Sequence, residues 1–249
     1  AVVREVMRRA PAPVNQVAVA LGGKGPSLVL HDADLDMTAD GILYGCFVYS
    51  GQVCESGTRA IVPRKIHDEF VERLVRRAKT IQVGATHDWD TDMGPVIDGT
   101  QQARILDFIR GAEAEGATVV LGGRALDGPG FWIEPTIVTG VTNDMRIARE
   151  EVFGPVLVVI AYDGDDHEAG QAITIANDSD YGLAASVWTT DNARGLAVAE
   201  RIRCGSVWIN DAHQINCQVP FGGYKQSGAG RELGPDALDA YTEAKVVHP

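Results

Sequence analysis

Residues 156–162 read VLVVIAY, an unbroken apolar run just after Gly154 and Pro155. A strand with one wet face alternates apolar and polar side chains, so a continuous run implies a strand covered on both faces. Its β-branched residues suit a buried, pleated surface. Such a strand belongs in a mainly parallel sheet packed between helices.

Moving outward from this run, short β-branched segments recur at residues 60–62, 118–121, 185–188 and 206–209. Between them lie stretches with helical spacing. In residues 66–81, Ile66, Phe70, Leu74, Val75 and Ala78 share one face, and Arg and Glu occupy the other. Helices are also expected over 101–115, 167–176 and 193–202. The alternation of strand and helix gives an α/β fold, with no repeat or low-complexity tract interrupting it. Two regions stand outside the alternation: the helix-like opening that leads to NQVAVALGGKGP, and the Gly-rich stretch VPFGGYKQSGAGRELG.

Composition narrows the function. The 249 residues are 45% hydrophobic, enough for a substantial core. Lys and Arg number 22 against 34 Asp and Glu, a net charge of −12, which repels nucleic acid and anionic membrane surfaces. No run of about 18 uncharged apolar residues is present, so no membrane span is expected. The four cysteines, Cys46, Cys54, Cys204 and Cys217, are too sparse for a secreted disulfide scaffold and wrongly spaced for zinc. A reducing cytoplasm and no metal are expected.

Two apparent ligand loops fail on inspection. LGGKG lacks the Gly that a phosphate loop needs at the position of Ala18, and has Gly25 where Ser or Thr would ligate magnesium. HDADLD spaces Asp32, Asp34 and Asp36 as a calcium loop does, but Met37 stands at the Gly position and Leu43 at the bidentate Glu position. An acidic entry to a following helix is the better reading.

GQVCESGTR, by contrast, puts Cys54 in a Gly-bounded turn between a helix-like stretch and the strand RAIVP. A turn exposes a thiol to substrate and to hydrogen-bond donors, as nucleophilic catalysis requires. Cys46 and Cys204 fall in apolar or helix-end settings and read as packing residues. Cys217, close to VPFGG, could line a pocket, with packing favoured. No His or acid is visibly tied to Cys54, which ranks a nicotinamide-independent cysteine hydrolase low.

Taken together, LGGKGP, GQVCESGTR, EEVFGPV, NDSDYGLAASVWT, GSVWIN and PFGGYKQSGAGRELG resemble, in order and spacing, the later part of an aldehyde dehydrogenase superfamily chain. The resemblance implies a remnant of the dinucleotide-binding domain over residues 1–20, a catalytic domain over 21–217, and a Gly-rich segment and oligomerisation tail ending in an edge-pairing strand over 218–249. It implies oxidation of a small-molecule aldehyde to a carboxylic acid, with NAD or NADP as hydride acceptor. Cys54 would be the nucleophile and backbone oxyanion donor, forming a thiohemiacetal and then a thioester. Gly22, Lys24, Glu151 and Phe153 would flank the nicotinamide and its ribose, and Phe221 the aldehyde pocket. The rest of the cofactor site would come from another chain in a homo- or hetero-oligomer.

One departure stands out. The family usually has Glu before Leu-Gly-Gly-Lys, where it deprotonates the water that hydrolyses the thioester; this chain has Ala20. Ala accepts no proton, and losing a positioned base costs about 10²- to 10⁴-fold in the step it serves. Three explanations are open: another residue or a water chain supplies the base, the acyl group leaves to coenzyme A, or the chain is a catalytically silent scaffold or assembly subunit.

Overall fold

The computed structural model describes residues 2–10, 17–164 and 169–248. In chain order the elements are α1 (Val2–Arg9), β1 (Val19–Ala20), β2 (Pro26–Val29), α2 (Leu35–Phe47), β3 (Arg59–Pro63), α3 (His67–Ala78) and α4 (Gly99–Ala114). There follow β4 (Thr118–Leu121), β5 (Thr136–Thr139), α5 (Arg146–Arg149), β6 (Val156–Tyr162), α6 (Gly170–Asn177), β7 (Tyr181–Gly182) and β8 (Ala184–Trp188). The chain closes with α7 (Asn192–Ala199), β9 (Ser206–Ile209), β10 (Tyr224–Lys225) and β11 (Gly228–Ala229).

A seven-stranded sheet in the order β4-β5-β6-β3-β2-β8-β9 forms the frame. Every pairing in it is parallel except β4 with β5. The run VLVVIAY is β6, and its side chains alternate between two cores, as the period of a strand demands. Leu157 and Val159 join Val29, Ala60 and Val62 on one face, against Ile42 and Phe47 of α2 and Phe70 and Leu74 of α3. Val156, Val158 and Ile160 face Ile105, Phe108 and Ile109 of α4. On that same side, Leu28, Ile61 and Val187 pack with Ala172 and Ile173 of α6 and Val198 of α7. Phe70 and Leu74 are fully buried, each contributing about 2 kcal/mol by transfer from water.

The helices and strands expected from periodicity form, with ends shifted by a few residues. The first two residues of the helix expected over 167–176 lie outside the described residues. Strands β2 and β5 were not anticipated: each is four residues long, and β2 opens on Pro26-Ser27.

The Asp-rich segment is an acidic helix entry. Asp34 caps α2 by accepting the N–H groups of Asp36 and Met37, a contact worth about 1 kcal/mol. Asp36 pairs with Arg73 and Arg77 across 2.8 and 3.0 Å. Asp32 accepts the hydroxyls of Thr189 and Thr190 at 2.7 and 2.9 Å. Among the described residues no cluster of His, Cys, Asp or Glu is arranged to hold a metal. No helix there is long and apolar enough to cross a membrane.

Two small antiparallel pairs tie down the Gly-rich stretch, β11 onto β1 near the chain's opening and β10 onto β7 just before β8. After β11 comes a 3-10 helix, Pro235–Tyr241. The final strand expected there is not formed among the described residues, and Val246 and Val247 are exposed. A strand needs a partner edge to satisfy its backbone, and among the described residues this segment pairs with none.

Candidate active site

Strands β6, β3 and β2 are parallel neighbours, so the loops that enter them meet at one end of the sheet. Those loops are 151–155, 52–58 and 21–25, which hold Glu151, Cys54 and Gly22. Motifs far apart in sequence are thus collected by strand order alone. The contact is close: a methyl group on Gly23 would lie 3.1 Å from the Cys54 carbonyl oxygen.

The turn that delivers Cys54 is strained. Tyr49 and Ser50 have φ of 51° and 59°, left-handed values that cost L residues about 1 kcal/mol or more each. Gly51 continues the left-handed run at 66°, and its α-carbon passes so close to the Gly154 carbonyl that no side chain fits. Neighbouring contacts hold the turn. The Ser50 hydroxyl donates to the Gly94 carbonyl at 2.8 Å, and the Gln52 side-chain oxygen accepts the Ile97 N–H at 2.9 Å. Three successive residues in this region point to a backbone shaped for a purpose other than stability.

Cys54 is half-buried, and its thiol is not alone. The Sγ–H donates to Glu55 Oε2 across 3.0 Å, and Glu55 Oε1 lies 3.2 Å from His213 Nδ1. The other ring nitrogen of His213 faces the Gly45 carbonyl oxygen at 3.0 Å. Glu55 and His213 are almost wholly enclosed, with side-chain exposures of 6% and 10%. An acid and a histidine are therefore tied to Cys54 after all, contrary to the sequence reading. Burial, together with the hydrogen bond and charge of Glu55, pushes the Cys54 thiol up to about 12. Burial opposes ionisation of Glu55, but hydrogen bonds from His213 and Cys54 hold its carboxyl below the ordinary value. The resting pair is a protonated thiol beside a carboxylate.

On the adjoining side, Glu151 accepts the Gly23 N–H at 3.1 Å, and its carboxylate occupies the space where a Gly22 side chain would be. Burial raises the Glu151 carboxyl, partly offset by that N–H, Lys24 and Arg104. Beside it opens a cleft of about 640 Å³ lined by Leu21, Gly22, Glu151, Tyr181, Lys225 and Gly228, among others. Its size is that of a small-molecule site. Phe153, at φ 58°, is a further left-handed residue and keeps a third of its surface open.

The sequence matches the aldehyde dehydrogenase family over residues 1–247. The chain belongs to that family. Betaine aldehyde dehydrogenase of Bacillus subtilis (strain 168) is 43% identical across 98% of this chain and 50% of its own length. The enzyme of that name from Brucella melitensis is 45% identical over the same shares. Among solved structures, the NAD+ complex of an aldehyde dehydrogenase from Bacillus cereus superposes with a TM-score of 0.92 at 44% identity. It is matched over 96% of this chain and 48% of that one. The NAD+ complex of betaine aldehyde dehydrogenase from Staphylococcus aureus gives 0.92 at 42% identity, over 96% and 47%. The chain spans about half the length of the curated relatives it matches.

Other residues expected from the aldehyde dehydrogenase resemblance fall at varied distances from this centre. Ala20 ends β1, exposed and paired with Gly228, and brings no polar atom toward Cys54. Lys24 is 1% exposed, and its buried Nζ has no hydrogen-bond partner. It does not line the cleft. Phe221 is half-buried, with its backbone exchanging two 2.7 Å hydrogen bonds with Glu232. Cys46 and Cys204 are buried in separate cores and Cys217 is exposed.

Sequence reasoning missed Glu55, His213 and Arg59. The Arg59 guanidinium, 1% exposed, donates to the Lys24 carbonyl at 3.0 Å, the Asn143 side chain at 2.8 Å and the Ala176 carbonyl at 3.1 Å. It thereby locks the LGGK segment to the start of β3. A charged residue opening an apolar strand was the available signal.

Proposed function

We propose that this chain carries the catalytic half of an NAD(P)-dependent aldehyde dehydrogenase, with Cys54 as nucleophile. The observation that carries the reading is the convergence of Cys54, Gly22–Gly23 and Glu151 at the entry of three adjacent parallel strands. On this reading residues 1–20 are a remnant of the dinucleotide-binding domain, 21–217 the catalytic domain and 218–249 the Gly-rich segment and oligomerisation tail. The remainder of the dinucleotide site belongs to the part of the family fold outside these 249 residues, on the same polypeptide or another.

The residues present fit the nicotinamide end of such a cofactor. Glu151 offers a carboxylate to ribose hydroxyls, side-chain-free Gly22 leaves the room that this carboxylate occupies, and Phe153 keeps a third of its surface open. When bound, the nicotinamide supplies the hydride acceptor. The chain's own part is to bring the Cys54 sulfur to the aldehyde carbon, to stabilise the resulting oxyanion with the Cys54 backbone N–H, and to release the acid from the thioester. The names of the relatives support betaine aldehyde as the first candidate substrate to try.

Ala20 supports a second reading, a catalytically silent subunit that keeps the fold for assembly; loss of the acyl group to coenzyme A is a third. The test follows reduced nicotinamide across an aldehyde panel headed by betaine aldehyde, with the family's N-terminal half supplied in cis. Turnover that disappears in Cys54→Ala supports the enzyme reading. No turnover with any aldehyde, with or without coenzyme A, favours the silent subunit.

A further inference from the structure

The chain lacks a carboxylate at Ala20, yet it holds another against the nucleophile. Glu55 is 7% exposed, touches Sγ of Cys54 through one oxygen and faces His213 through the other. The space on its far side is lined by Ser27, Gly45, Ser186, Trp208 and Ala212, none of which titrates. Among the described residues, Cys54 and His213 are the titratable groups that hydrogen-bond to it. A buried carboxylate is expensive unless its oxygens are occupied. Here both are, by the thiol and by a histidine whose second nitrogen is anchored to the Gly45 carbonyl.

We propose that Glu55 is the proton acceptor of this site and the base that activates water to release the acyl group from Cys54, with His213 as its positioning residue. This rests on the reading of Cys54 as nucleophile. In acylation by an ester, the C–S bond forms as the Sγ–H proton moves to Glu55. The carbonyl electron pair collects on oxygen and returns as the C–O bond of the alcohol breaks, and the departing alkoxide takes the proton from Glu55. In release, the ionised Glu55 removes a proton from water while the water oxygen bonds to the acyl carbon. The C–S bond then breaks, and the leaving sulfur recovers its proton from Glu55. The sum is ester plus water giving acid plus alcohol, with Glu55 and Cys54 unchanged.

The two half-reactions depend on Glu55 unequally. A thiol can lose its proton to solvent, and does so more easily without a neighbouring negative charge. Water, with a pKa of about 15.7, cannot. Removing Glu55 therefore stalls release more than acylation.

The experiment uses the purified chain and p-nitrophenyl acetate without nicotinamide, reading the burst, the steady state and the intact mass. Glu55→Gln is expected to keep the burst, lose about 10²- to 10⁴-fold in steady-state rate, and accumulate acetylated protein. Restoring the family carboxylate with Ala20→Glu in the Glu55→Gln background is expected to recover release. His213→Gln is expected to lower kcat with KM unchanged and to accumulate the same acetyl form. Thermal melts establish that the variants fold, and Glu55→Asp, which withdraws the carboxylate by one methylene, repeats the test should Glu55→Gln not fold. If Cys54→Ala abolishes the burst while Glu55→Gln and Glu55→Asp turn over like the native chain, the proposal fails and the nucleophile stands. A native chain that is acetylated at Cys54 but never released also overturns it. If Cys54→Ala bursts like the native chain, the nucleophile assignment itself is wrong.

Discussion

Glu55 sits on the thiol of Cys54: its Oε2 accepts the Sγ–H across 3.0 Å, in a position made by the left-handed run Tyr49-Ser50-Gly51. On the reading of Cys54 as nucleophile, the contact protects the thiol as well as arming it. With the thiol pushed up to about 12, little thiolate exists at neutral pH. Each unit above the ordinary value removes about tenfold of the reactive form. Iodoacetamide at pH 8 should therefore modify exposed Cys217 first and Cys54 more than about tenfold more slowly. Glu55→Gln should speed labelling of Cys54 while slowing acyl release, two readouts moving in opposite directions. Peptide mapping over time checks both, and a Cys54 that labels before Cys217 contradicts the geometry.

Arg59→Met should destabilise the fold by about 3 kcal/mol, because the buried Lys24 and Ala176 carbonyls lose a charged donor and the half-buried Asn143 side chain loses a partner. Urea denaturation measures it. A loss under about 1 kcal/mol would show that these acceptors find other partners.

Lys24 gives a pH signature. Burial pushes its ammonium down from 10.5 to about 7 in the folded chain. The unfolded chain keeps its proton up to the ordinary value, so it binds more protons between about pH 7 and pH 10 and stability should rise with pH across that window. Lys24→Met should remove the rise and match or exceed the native stability at pH 7. A native chain whose stability is flat from pH 7 to 10 refutes the assignment.

Asp32 works with the opposite sign. Burial opposes its ionisation, but the hydroxyls of Thr189 and Thr190 and the Asp191 N–H bring it down to about 2. A depressed carboxylate stabilises above its unfolded value and loses that contribution as pH falls through the folded value. Asp32→Asn should therefore cost stability at pH 7, by a margin that shrinks between about pH 4 and pH 2. Paired urea titrations at several pH values read the margin directly.

Much of the frame was legible because burial writes itself into composition. VLVVIAY could only be a strand covered on both faces, and its residues do alternate between two cores. Gly22, Cys54 and Glu151 were legible as members of a familiar order of motifs, and strand order explains why they meet. The Glu55–His213 link was not, since it spans 158 positions and depends on the loop after β9 folding back onto α2. Its nearer half was in view: a carboxylate directly after the cysteine proposed as nucleophile is itself a signal. The left-handed turn was announced only at Gly51, because Tyr49 and Ser50 adopt φ values that their side chains disfavour and that the surrounding contacts enforce. The closing strand was expected and is not formed among the described residues, as a strand is a property of a pair.

The most direct test of the account is to find where an acyl group resides. The chain is mixed briefly with p-nitrophenyl acetate, quenched in acid, digested and mapped by tandem mass spectrometry. The acetyl group should be found on the peptide containing Cys54, held as a thioester that hydroxylamine removes, and more abundantly in Glu55→Gln. Acetylation confined to lysines or to Cys217, with Cys54 unmodified in both proteins, would contradict the assignment of Cys54 as the nucleophile.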